Sequence, residues 1–275
     1  MTGFTGARPA ISRWLAASMA LSLSCLAVAA EAVYEGFQSP VGIAAIAGRA
    51  VYVSDWSANT VTRIDKDGTR AVVARDIPSA AGLAVGQDGA LFVASYSANY
   101  IVRIDPDSGA IHRVAENLST PTGIAFARDG RLLVANRGAG QVLAVDVSTG
   151  RASLVADGFS LPVGVVEMDD GSIVVSQYGG RVTRVARGGR KQELGAVFSR
   201  PGVGIAADGP NAVLVVDNGA GVVRRLTLDG KTTSAAVVGE KLPGSVVALG
   251  RGIAGQWLVG AWGTGAIHRL PDARR

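Results

Sequence analysis

The chain repeats one pattern six times. A glycine opens a short apolar run, and a tight turn, a second apolar strand, a small polar loop and a V-x-R-like strand follow. The leading glycines are Gly42, Gly82, Gly123, Gly164, Gly204 and Gly244, at steps of 40 or 41 residues. The second strand recurs as Val51-Tyr52-Val53, Leu91-Phe92-Val93, Leu132-Leu133-Val134, Ile173-Val174-Val175, Val213-Leu214-Val215 and Trp257-Leu258-Val259. A period near 40 made only of short strands marks a radial array of four-stranded blades. The expected fold is an all-β six-bladed β-propeller over residues 30–275.

The inner runs, such as Gly42-Ile-Ala-Ala-Ile and Gly123-Ile-Ala-Phe, are almost continuously apolar. Strands covered on both faces look like this. One blade cannot cover both its faces, but blades stacked around an axis cover one another. The last repeat shows three strands, at 245–249, 257–260 and 266–270. A spare strand at 32–36 precedes the first inner strand. It is expected to complete blade six and so remove an exposed sheet edge.

Residues 1–29 stand apart from the repeats. Arg8 and Arg13 precede an apolar stretch from Trp14 to Ala29, which ends in Ala27-Val28-Ala29. This is the pattern of a secretory signal peptide, with cleavage expected before Ala30. The expected location is the periplasm or outside the cell, with no membrane attachment after the signal is removed. Cys25 is the single cysteine. It lies in the leader, and Ser22 three positions before it does not fit a lipidation signal. A mature chain without cysteine has neither disulfides nor thiolate chemistry. The formal net charge of +5 falls by two when the leader arginines leave. The remaining basic residues are scattered, with Arg63, Arg103, Arg184, Arg224 and Arg269 recurring once per blade rather than gathering in a stripe, which argues against nucleic acid as a partner. A monomer is expected.

The loops between second and third strands open on the same face as the blade-to-blade crossings. Aligned, they read Asp55-Trp56, Ser95-Tyr96, Asn136-Arg137, Ser176-Gln177, Asp217-Asn218 and Ala261-Trp262. The first column, mostly Asp, Asn or Ser, is turn chemistry, short polar side chains that accept backbone N–H bonds. Nothing in turn geometry asks for the second column: Trp56, Tyr96, Arg137, Gln177, Asn218 and Trp262. Blades six, one and two supply an aromatic arc there, and blades three, four and five a polar one. Such a mouth suits an amphipathic small molecule, or a loop of a protein partner. No G-x-S-x-G, phosphate loop or haem motif is present. The leading expectation is therefore recognition on the top face without evident catalytic chemistry and without a cofactor. One residue stands out within the inner strands. Glu167 takes a place held by Ala45, Val85, Phe126 and Val247 in other blades, and a carboxylate there needs a hydrogen bond, a cation or water.

The segments Pro40-Val-Gly-Ile-Ala, Pro121-Thr-Gly-Ile-Ala and Pro162-Val-Gly-Val-Val, each followed by a V-x-V-like strand and a third strand, resemble NHL-repeat and SMP-30/gluconolactonase-like six-bladed propellers. The Pro-x-Gly-Ile-Ala runs are also similar to those of virginiamycin B lyase-type propellers. The likeness covers about residues 33–270. Kinship with the lactonase type implies an alternative, a calcium- or zinc-dependent lactone or ester hydrolase. Glu167 would be its candidate catalytic carboxylate, and Glu167, Asp55, Asn136 and Asp217 its candidate metal ligands. Kinship with the lyase type implies a histidine base. The two histidines, His112 and His268, fall in strands rather than in top loops.

Overall fold

Alternating side chains and glycine-bearing turns fold each repeat into an antiparallel four-stranded sheet. A computed structural model describes residues 1–3, 31–195, 198–228 and 233–271. Residues 4–30, with most of the expected leader, its expected cleavage site and Cys25, lie outside the described residues. Blade one shows the plan, with an inner strand Pro40–Ile46 and then strands Ala50–Asp55, Thr60–Asp65 and Arg70–Ala74. Five blades are built in this way from consecutive strands. The sixth joins Ser245–Arg251, Trp257–Trp262 and Ala266–Arg269 to the N-terminal strand Ala32–Tyr34.

The closing strand is short. It pairs Ala32 with His268 and Tyr34 with Ile267. Phe37 N–H donates to the Gly265 carbonyl at 3.1 Å, and Arg269 N–H donates to the Glu31 carbonyl at 3.0 Å. Val33, Tyr34 and Phe37 also pack on the cluster of Ile43, Val51, Ile64, Leu258 and Ile267, which seals blade six to blade one. Sheet hydrogen bonds and apolar burial thus close the ring together. The other seams are alike. Tyr52 and Val61 of blade one meet Leu91 and Val93 of blade two, and Leu214 of blade five meets Val259 of blade six. The core is a set of apolar seams between blades rather than one central mass.

The leading glycines have a packing reason. A Cβ on Gly42 would stand 2.7 Å from the Ala81 carbonyl and from Leu83 Cβ of the next blade. Gly82, Gly123, Gly164 and Gly204 are crowded in the same way by the inner strand that follows each of them. Here glycine is needed because two backbones approach closely near the axis. The sixth repeat departs from the pattern. Gly244 sits in the turn before its inner strand at φ +79°, and Gly250 makes the close approach, against Ile43.

Strand direction defines two faces. Crossings and second-to-third-strand loops lie at the top, where Pro40 pairs with Asp55. First-to-second and third-to-fourth-strand turns lie at the bottom, where Ile46 pairs with Ala50. Between the faces the axis narrows to a space of about 40 Å³, lined by glycines and by Ile43, Leu83, Ile124 and Val165. Among the described residues no helix is long and apolar enough to cross a membrane.

Candidate functional site

Asp55, Asn136 and Asp217 end the second strands of blades one, three and five, and all are buried. Asp55 accepts hydrogen bonds from the Gln38, Ser39 and Ala58 N–H groups at 2.7–3.1 Å. Asn136 accepts one from Ser119 N–H at 2.7 Å. Asp217 accepts from Ser199 and Arg200 N–H, and its Oδ2 is 2.9 Å from Arg224 Nε. Each of these buried side chains is taken up in holding the crossing loop that leads into its own blade, where it gives backbone N–H groups an acceptor.

The next residue along each chain faces the mouth. Its backbone N–H also bonds to the crossing loop, Trp56 to Ser39, Tyr96 to Ser79 and Arg137 to Thr120. In blade four the residue making that bond is Tyr178, to Leu161, at 3.0 Å. Gln177, expected at the mouth, lies one place earlier, as an anchor. It is buried, its Oε1 accepts from Ser160 N–H at 2.8 Å, and its Nε2 donates to Thr183. The alignment slips by one because a glutamine can reach the crossing as Asp or Asn does. A signal for this was in the sequence. Gln177 stands as far from Pro162 as Asp55 does from Pro40 and Asn136 from Pro121.

The structure gathers Trp56, Tyr96, Arg137, Asn218 and Trp262 around one cavity of about 320 Å³. Tyr178 and Arg200 complete its wall, and Val41, Val163, Val203 and Val247 contribute apolar surface. Trp56 leans on Tyr96 at 4.6 Å between ring centroids and meets Trp262 edge-on at 5.9 Å. Arg137 Nη1 donates to Tyr96 Oη at 2.8 Å. The Tyr178 ring carries two cations, Arg137 at 5.4 Å and Arg200 at 5.2 Å from its centroid. Asn218 spends its amide on the Val246 carbonyl. No carboxylate lines this cavity, and neither arginine has a salt bridge among the described residues.

Glu167 lies at the other end of the molecule. It ends its inner strand opposite Ile173, at the bottom face, and its Oε2 accepts from Arg128 N–H at 2.7 Å. There it borders a groove of about 400 Å³ with Arg128, Asp129, Arg131 and Arg187. The four candidate metal ligands are therefore split. Three are engaged under the top rim and one stands at the bottom. Among the described residues no three His, Cys, Asp or Glu side chains come together as metal ligands. The residues present do not fit the metal that the lactonase resemblance implies. Their carboxylates already accept backbone and arginine hydrogen bonds, and they do not converge. His268 is buried in the third strand of blade six and His112 is exposed in an outer strand, both away from the mouth.

No protein-family model matches the chain, and no curated protein matches it. Solved structures do resemble it. A gluconolactonase from Xanthomonas campestris is 20% identical with a TM-score of 0.74, over 87% of this chain and 88% of that one. Virginiamycin B lyase from Staphylococcus aureus is 19% identical with a TM-score of 0.64, over 86% of each chain. The PQQ-bound aldose sugar dehydrogenase from Streptomyces coelicolor is 18% identical with a TM-score of 0.69, over 87% of this chain and 96% of that one. The fold is thus a six-bladed propeller related at low identity to gluconolactonase- and virginiamycin B lyase-type propellers. The expectation of recognition without chemistry is corrected by these likenesses, which include a lactonase, a lyase and a dehydrogenase. That expectation took the absence of a known catalytic motif as a lack of chemical means. The mouth instead assembles guanidinium and phenol groups, which can stabilise charge and supply a proton without any carboxylate.

Proposed function

We propose that the chain is an exported enzyme that opens small lactones or related esters at its top mouth. In this reading residues 1–29 are the signal peptide and the mature propeller works in the periplasm or outside the cell. The observation that carries it is the hydrogen bond from Arg137 to Tyr96 Oη beside an apolar, aromatic-walled cavity. Arg137 is a charged donor with no carboxylate to neutralise it among the described residues, the property needed to hold an oxyanion. Because Tyr96 Oη accepts from Arg137, its own proton points elsewhere and is available for transfer. The Trp262–Trp56–Tyr96 arc stacks the flat part of the substrate.

In the reaction, water adds to the ester carbonyl and releases a proton to solvent at the open mouth. The negative charge gathering on the carbonyl oxygen is held by Arg137. The ring C–O bond then breaks, and the departing alkoxide takes the Tyr96 proton, which the solvent restores. The net change is ester plus water to acid plus alcohol.

The test is hydrolysis of phthalide, δ-valerolactone and p-nitrophenyl acetate by protein purified from an exporting host. Turnover above the buffer rate is expected for at least one lactone. Arg137→Ala should lower kcat/KM by about 10²- to 10³-fold, the usual loss for one oxyanion donor. Tyr96→Phe should lower it by about 10²-fold, as for a lost general acid. Chelation should leave the rate unchanged, because no metal site is assembled from the residues proposed for one. A wild-type rate no greater than that of Arg137→Ala would sink the reading.

A further inference from the structure

The mouth holds two arginines, and the proposed chemistry uses one. Arg137 is fixed on two sides, by Tyr96 Oη and by the Tyr178 ring. Arg200 is held differently. Its backbone N–H is bonded to Asp217, but its exposed guanidinium makes no hydrogen bond or salt bridge among the described residues and touches only the Tyr178 ring, at 5.2 Å. It immediately precedes Pro201, which begins an inner strand, so the crossing loop delivers it to the rim of the cavity.

Two like charges on one ring, with no carboxylate lining the space, make a site of unbalanced positive potential. A low-dielectric wall strengthens that potential. An arginine whose only partner is an aromatic face still has its fork of N–H donors to offer, and the fork matches a carboxylate or phosphate. The opposite wall is the tryptophan pair. The cavity of about 320 Å³ sits at the small end of ligand pockets, with room for a ring and one or two substituents.

We infer that the substrate is an anion: a flat, largely apolar lactone or ester bearing a separate oxyanion, carboxylate or phosphate, which Arg200 binds while Arg137 acts at the carbonyl. This rests on the reading of the mouth as an ester-opening site. It adds the substrate class and makes Arg200 the residue that sets specificity.

Binding and turnover test it separately. Tryptophan fluorescence is titrated with benzoate, phenyl phosphate and benzamide, because Trp56 and Trp262 line the cavity. One or both anions should bind about tenfold or more tightly than the neutral amide, and which of them does so tells carboxylate from phosphate. Arg200→Gln should erase the preference, and Arg200→Lys should keep part of it. In turnover, the ratio of kcat/KM for 5-carboxyphthalide to that for phthalide should be about 10 to 100 in the parent and fall toward one in Arg200→Gln. A preference that survives in Arg200→Gln, or anions binding no better than benzamide, would overturn the inference. Failure to turn over either lactone while the anion preference holds would remove the hydrolase reading and leave the anion site standing. Turnover of both lactones at equal rates would do the reverse.

Discussion

A largely apolar cavity and a polar groove sit at opposite ends of the propeller, and most of their arginines are treated in opposite ways. In the bottom groove Arg128 pairs with Asp169, and Arg131 pairs with Asp129 at 2.7 Å. At the top, Arg137 and Arg200 face a cavity without a carboxylate and lean on tyrosines. The bottom groove is slightly the larger, yet two of its three arginines are paired with aspartates, and Arg187 alone has no carboxylate partner among the described residues. The difference teaches that two cavities of similar size in one fold can differ sharply in how their charge is balanced. What distinguishes the top is that none of its arginines has a carboxylate partner among the described residues and none of its lining residues is a carboxylate.

The bottom face is also where carboxylates are held below their usual range. Asp129 is lowered chiefly by its hydrogen bond with Arg131, Asp88 by the one with Arg103 and Asp170 by the Ser172 hydroxyl. Asp67, Asp105 and Asp146, in other bottom turns, are lowered by hydrogen bonds from Thr69, Ser108 and Ser148. These turns use aspartate to fasten the backbone.

The largest effect is expected just under the top rim, where charge is paired because it is buried. Asp217→Ala leaves Arg224 unpaired and the Ser199 and Arg200 N–H groups without an acceptor. Urea unfolding should show a loss of about 3–5 kcal/mol, as for a broken buried pair. A loss below about 1 kcal/mol would mean that the anchors do not hold the crossings. Next comes Arg137→Ala, whose kcat/KM should fall by about 10²- to 10³-fold while the unfolding midpoint barely moves. If stability fell with activity, the top arginine would be structural, as those at the bottom are, and the contrast would collapse.

Acid should act on the two ends differently. A carboxylate with a depressed folded-state pKa contributes stability above its unfolded value, near pH 4, and that contribution is lost as pH falls through the folded value. Thermal melts should therefore weaken below about pH 4. Asp88→Asn combined with Asp129→Asn should flatten that limb, whereas Arg137→Ala should leave it in place. The smallest effect belongs to Arg131→Ala. Its ion pair is about half exposed, with side-chain exposures of 47% and 51%. The expected cost is about 0–1 kcal/mol, with no change in lactone turnover. A marked loss of activity would move the functional site to the bottom.

What was legible in the sequence was everything the repeat encodes locally. Blade number, strand order and the closing role of Ala32–Tyr34 follow from apolar periodicity and turn residues, which act over a few neighbours. Trp56, Tyr96, Arg137, Asn218 and Trp262 could be placed at one mouth because strand direction carries each to the same end. The tertiary structure decided matters that depend on contacts between blades. Gln177 gave way to Tyr178 at the mouth because its side chain anchors the crossing loop, a role that the spacing from Pro162 hinted at and the contact with Ser160 shows. Gly244 ceded the close approach to Gly250 because the ring must close against Ile43, far off in the chain. Glu167 and the three top residues parted company because the two ends of an inner strand lie on opposite faces. Arg200, a plain residue before a proline in the sequence, gained its place from the Tyr178 ring of the preceding blade. A repeat specifies how one blade is made. Which side chains from different blades converge is fixed only when six of them share an axis.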